Sequence, residues 1–60
     1  MTIDVRCLDD SKFTYTLYDV QHIPYKDDAV IFNNKWYKVD GFVWNFDSSI
    51  IIMYITGSNI

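Results

Sequence analysis

The chain reads as an all-β domain of about five antiparallel strands, a small SH3-like barrel or a strongly twisted sheet. Three features of the residue choice carry that reading. All eight acidic residues are aspartate, and there is no glutamate. Ala29 is the one alanine, and Leu8 and Leu17 are the two leucines. Isoleucine, valine, threonine and aromatic residues take the apolar positions instead. Helices draw on alanine, leucine, glutamate and lysine, whereas β-branched and aromatic side chains suit a pleated surface. Aspartate, asparagine and serine hydrogen-bond their own backbone and initiate turns.

The first strand is carried by Ile3, Val5 and Cys7, which alternate with Asp4 and Arg6. Asp9-Asp10-Ser11 supplies a turn. Phe13, Tyr15 and Leu17 then alternate with threonines, which completes an N-terminal hairpin. Asp19 to Pro24 is an extended connection, because Pro24 lacks an N–H and biases Ile23 away from the helical region. Tyr25-Lys26-Asp27-Asp28 forms a turn or a single 3₁₀ turn.

A third strand is expected over Ala29–Phe32. Asn33-Asn34 suits a two-residue type I′ hairpin turn, since asparagine tolerates positive φ. That register pairs Val30 with Tyr37 and Ile31 with Trp36. Val30, Phe32, Tyr37 and Val39 then share one face, and Ile31, Trp36 and Lys38 the other. A β-bulge at Gly41 would bring Phe42, Trp44 and Phe46 onto the face of Val39, and such a bend helps a small sheet curl. Asp47-Ser48-Ser49 turns the chain into a last strand, Ile50 to Ile55, followed by a frayed tail from Thr56 to Asn59. The expected core comprises Ile3, Val5, Phe13, Tyr15, Leu17, Val30, Tyr37, Val39, Phe42, Ile50 and Ile52.

The last strand does not alternate. Ile50, Ile52 and Tyr54 lie on one face and Ile51, Met53 and Ile55 on the other; with Ile50 and Ile52 assigned to the core, the second face needs cover from elsewhere. Sixty residues form one small domain, which buries only about 60% of its unfolded surface. The lone cysteine, Cys7, cannot make an internal disulfide, and Cys7 with His22 is no zinc set. A homodimer that buries Ile51, Met53 and Ile55, with Trp36 as a further candidate, is therefore expected; the alternative is a strongly curled barrel whose strand ends tuck both faces partly away.

The net charge of −3 and scattered basic residues disfavour a phosphate-backbone partner. The start of the chain lacks the basic and apolar segments of a signal peptide, and no apolar run is long enough for a membrane helix. A cytoplasmic location is expected, the host cytoplasm if the chain is phage-encoded. Neither the aspartate pairs nor His22 matches a calcium loop or a catalytic set. Gly41 and Gly57 make no phosphate loop. No enzyme activity and no cofactor are expected.

From Pro24 to Trp44 the chain resembles the recurring core of small SH3-like barrels among phage-encoded proteins. Pro24, Asp28, Val30, Asn34, Tyr37 and Val39 stand where that pattern has proline, an acidic turn, valine, a hairpin turn and aromatic-x-valine. The resemblance implies an accessory protein of a phage or prophage. Such a protein binds and inhibits or recruits a host protein, for example a component of an anti-phage defence system. No functional residue carries over, because the shared positions are fold positions. The surface nominated for the partner or the dimer is Ile31, Trp36, Lys38, Ile51, Met53 and Ile55. Two alternatives stand beside this reading. One is a nucleic-acid or nucleotide binder that stacks bases on Trp36 between Lys35 and Lys38. The other is a structural subunit of a larger assembly.

Overall fold

The computed structural model describes residues 1–57. Five strands account for most of them: β1 (Ile3–Cys7), β2 (Asp10–Leu17), β3 (Ala29–Phe32), β4 (Lys35–Asn45) and β5 (Ile50–Gly57). They form one sheet in the order β2-β1-β5-β4-β3. The domain is all-β, as the residue choice implies. One junction departs from the all-antiparallel expectation: β1 runs parallel to β5, while β1–β2, β4–β5 and β3–β4 are antiparallel. An antiparallel hairpin and an antiparallel three-strand meander are thus joined through the two strands nearest the chain ends. Tight turns fix direction within each unit. Nothing local fixes the direction of one unit against the other.

The turns explain themselves chemically. Among the described residues five non-glycines have positive φ, namely Asp19, Asp27, Asn33, Asn34 and Ser49. All are short polar residues, which enter the left-handed region at the least cost among non-glycines. Asn33 and Asn34, at φ of 52° and 64°, form the expected hairpin turn, with Phe32 opposite Lys35. The first turn is tighter than expected. It occupies Leu8 and Asp9, so Asp10 and Ser11 already belong to β2. Thr56 and Gly57, expected to fray, extend β5; Ser58 and Asn59 lie outside the described residues. At Tyr25–Asp28 the Asp28 carboxylate accepts from the Tyr25 N–H at 2.8 Å. The Asp27 N–H donates to the Val39 carbonyl and the Val39 N–H to the Asp28 carbonyl, which moors the long connection on β4.

The bulge falls where the glycine suggests. Val39 pairs with Ile55 and Gly41 with Tyr54, leaving Asp40 as the extra residue. Beyond it Phe42 and Trp44 join the face of Val39. Gly41 itself has no positive φ, and a Cβ there would meet nothing within 4 Å.

The core consists of Ile3, Val5, Cys7, Phe32, Val39, Ile51, Met53 and Ile55. This corrects the assignment of β5. Ile51, Met53 and Ile55 are buried, whereas Ile50 and Ile52 are half-buried on the opposite face. The parallel pairing is the cause: Ile3, Val5 and Cys7 sit beside Ile51, Met53 and Ile55 on the inner face. The outer face of β5 is apolar for a different reason. As the middle strand it is flanked on both sides, with Ile52 lying between Asp4 and Val43. Tyr15, expected in the core, is 40% exposed because it lies on an edge strand. Phe13, Leu17, Val30, Tyr37 and Phe42 pack around the core rim, as do Val20 and Ile23 from the long connection.

The sheet curls into a half-barrel. Its two edge strands are β2 and β3, yet their aromatic side chains touch. Phe13 meets Phe32 edge-on at 5.9 Å between ring centroids, and Tyr15 meets Phe32 at 5.0 Å. Phe13 also contacts Tyr37 at 5.5 Å. Rings, and not a backbone ladder, close the gap between the edges. Offset and edge-to-face pairs at this spacing each contribute about 0.5–1.5 kcal/mol beyond their area burial.

Candidate protein-binding surface

The nominated residues divide between two environments. Ile31 and Trp36 are a directly opposed cross-strand pair on the outer face of the β3–β4 hairpin, each 56% exposed. Lys38 lies on the same face of β4 and places its Nζ 3.6 Å from the Asp27 carboxylate. That ion pair is exposed at both ends, so its contribution is small. Ile51, Met53 and Ile55 are interior and drop out of any contact surface. A surface uniting all six residues does not exist.

The reason for an apolar pair on the outer face is local. Asn33-Asn34 fixes the hairpin register, and that register puts Ile31 opposite Trp36 whatever lies outside. Cross-strand aromatic–aliphatic pairs stabilise a hairpin by roughly 0.2–1 kcal/mol. Trp36 also borders a groove of about 380 Å³. Asp9 from the β1–β2 turn and Asp10 at the start of β2 line it together with Lys35 and Tyr37. Both carboxylates are oriented by backbone donors: Asp9 accepts from the Gly57 N–H at 2.7 Å and Asp10 from the Lys12 N–H at 3.0 Å.

A second apolar region escaped the sequence reading. Trp44 and Phe46, assigned to the core face, are 54% and 84% exposed. Trp44 does lie on the core side of the sheet, opposite Ile51, but at the last row, where the covering side chains end. Phe46 stands beyond β4, on the turn into β5. With Met1 and Ile50 these rings line an apolar groove of about 230 Å³. Strand length was the available signal. β4 has eleven residues and its neighbour β3 has four, which pair with Lys35–Lys38, so Gly41–Asn45 pair with β5 alone.

Groups able to perform chemistry are scarce. Among the described residues no cluster of three or more His, Cys, Asp or Glu is placed to hold a metal ion. Every buried side-chain nitrogen or oxygen among them has a hydrogen-bond partner. Cys7 is buried, as its place in the strand pattern suggests. No helix among the described residues is long and apolar enough to cross a membrane. No protein-family model matches the chain, and no curated protein or solved structure shows detectable similarity to it.

Proposed function

We propose that this chain is a protein-binding module whose partner docks on the outer face of the β3–β4 hairpin, over Ile31, Trp36 and Lys38. One observation carries the reading: both tryptophans are more than half exposed, while the core is built from isoleucine and valine with one cysteine, one methionine and one phenylalanine. Tryptophan is strongly buried on average in folded domains, and it is enriched among residues that dominate binding energy at interfaces. In a chain this short of buried apolar area, leaving both indoles outside costs stability that a partner would restore. The resemblance to phage-encoded barrels gives the setting. The partner would be a host protein that the module inhibits or recruits, such as a defence component.

The test is affinity capture from nuclease-treated bacterial lysate with wild-type protein and Trp36→Ala side by side. The reading expects one protein retained by the wild type and lost from the variant, with both baits folded. Equal retention by both would move the contact elsewhere. An oligonucleotide titration followed by tryptophan fluorescence separates the rival use of Trp36 with Lys35 and Lys38. Salt-sensitive quenching absent from Trp36→Ala would favour a nucleic-acid binder.

A further inference from the structure

The two edges of the half-barrel, β2 and β3, meet through side chains and not through backbone. We propose that the gap between them takes one extended segment of another protein, paired antiparallel to β2 and parallel to β3.

The chemistry of the edges specifies the occupant. Among the described residues β2 has one ladder neighbour, β1, and β3 has one, β4. Each edge therefore presents a row of N–H and C=O groups without a ladder partner among those residues. An extended backbone is the ligand that satisfies such a row, by strand addition.

The width fits a single strand. No Cα of β2 lies within 8 Å of a Cα of β3, so the edges stand well beyond the roughly 4.8 Å of paired strands. The rings set the opposite limit. The Tyr15 and Phe32 ring centres are 5.0 Å apart and each lies about 4 Å from its own Cα, which keeps the two Cα atoms within about 13 Å. One strand between two edges needs twice the pair spacing, about 9.6 Å. The rings lie beneath the gap, on the core side. Tyr15 is opposite the buried Val5, Phe32 is itself buried, and Phe13 packs against the core. The long connection from β2 to β3 stays with the neighbouring strands at both ends. The Val20 N–H donates to the Met1 carbonyl, and Asp27 and Asp28 bond to Val39 of β4.

A second folded copy cannot supply the strand, because its own edge strands arrive with a sheet attached. Direction follows from the pairing. β3 runs with β1 and β2 runs against it, so an inserted strand is antiparallel to one edge and parallel to the other. The antiparallel ladder is the more stable per residue, and β2 offers eight residues against four in β3. Every second side chain of the segment would rest on Tyr15, Phe13 and Phe32, which favours uncharged β-branched or aromatic residues there.

The probe is a displayed library of random peptides of about ten residues, enough to span β2, selected against the whole chain. The enriched peptide is then synthesised with isotope labels and bound in solution. Alternating uncharged β-branched or aromatic residues are expected, with backbone NOEs to both β2 and β3 and an antiparallel register on β2. Tyr15→Ser should weaken binding about fivefold to tenfold without changing the far-UV spectrum, since Tyr15 is 40% exposed. Trp36→Ala should bind the peptide like wild type, so this gap and the outer face of the hairpin fail or stand independently. No enrichment over a selection without the protein would overturn the proposal. So would a peptide whose NOEs reach one edge alone or the Trp36 face. NOEs between the β2 strands of two copies, with a doubled mass in sedimentation, would assign the edge to a second copy and overturn it as well.

Discussion

The Asp9 carboxylate accepts a hydrogen bond from the Gly57 N–H at 2.7 Å, across 48 positions of sequence. It ties the β1–β2 turn to the last described residue of β5. A Cβ at Gly57 would come within 3.2 Å of the same oxygen, so the bond and the glycine belong together. Asp9→Ala is expected to lower stability by about 1–2 kcal/mol, the usual cost of losing a charged acceptor that serves a backbone donor. Urea denaturation of the two proteins measures it. A loss below about 0.3 kcal/mol would mean that water replaces the carboxylate at no cost.

The two faces of β5 should respond differently to truncation. Met53 is 1% exposed, and Met53→Ala is expected to cost about 2–5 kcal/mol. Ile52, half-buried on the outer face, should cost distinctly less when replaced by alanine. Chemical denaturation of both variants checks the assignment, and the opposite ranking would show that β5 faces the other way.

Phe32 is the ring on which the curl converges. It touches Phe13, Tyr15 and Tyr37, and it is buried although its strand has four residues. Phe32→Leu keeps an apolar side chain but removes the edge contacts with β2. The expected result is a loss of about 1–3 kcal/mol. It should be accompanied by faster hydrogen exchange in β2 and β3, with β1 and β5 comparatively protected. Uniform acceleration across the sheet would argue against a locally closed seam.

Ser49 has a φ of 58° and sits at the end of the turn into β5. Glycine reaches that conformation without the Cβ penalty. Ser49→Gly is expected to raise stability by up to about 1 kcal/mol, and Asn34→Gly should act in the same direction at the β3–β4 turn. Gly41→Ala should be tolerated, because neither φ nor space demands glycine there. Thermal melts of the three variants provide the comparison.

What the sequence made readable followed from local chemistry. Asn33-Asn34 specified both the turn and the pairing of Ile31 with Trp36. Gly41 marked the bulge, though as a place where a side chain is dispensable and not as a strained position. The phase of β5 was not readable. A run of isoleucines is apolar in either phase, and the choice rests on pairing with Ile3, Val5 and Cys7 from the other end of the chain. The same gap hid half of the candidate surface. The face of Trp36 is readable because its turn fixes it, whereas the exposure of Trp44 and Phe46 depends on where β3 stops pairing with β4 and where β4 ends.

The parallel pairing of β1 with β5 also bears on how the chain acquires its shape. The interior is assembled from Ile3, Val5 and Cys7 against Ile51, Met53 and Ile55, segments from opposite ends of the polypeptide. The β3–β4 hairpin closes a short loop and can form early, but the central seam must close a loop of nearly the whole chain. Domains dominated by such distant contacts fold on the slower millisecond-to-second scale. A ribosome-bound nascent chain whose β5 is still in the exit tunnel cannot assemble that seam. Until β5 emerges, Ile3, Val5 and the hairpin aromatics stay open to chaperones.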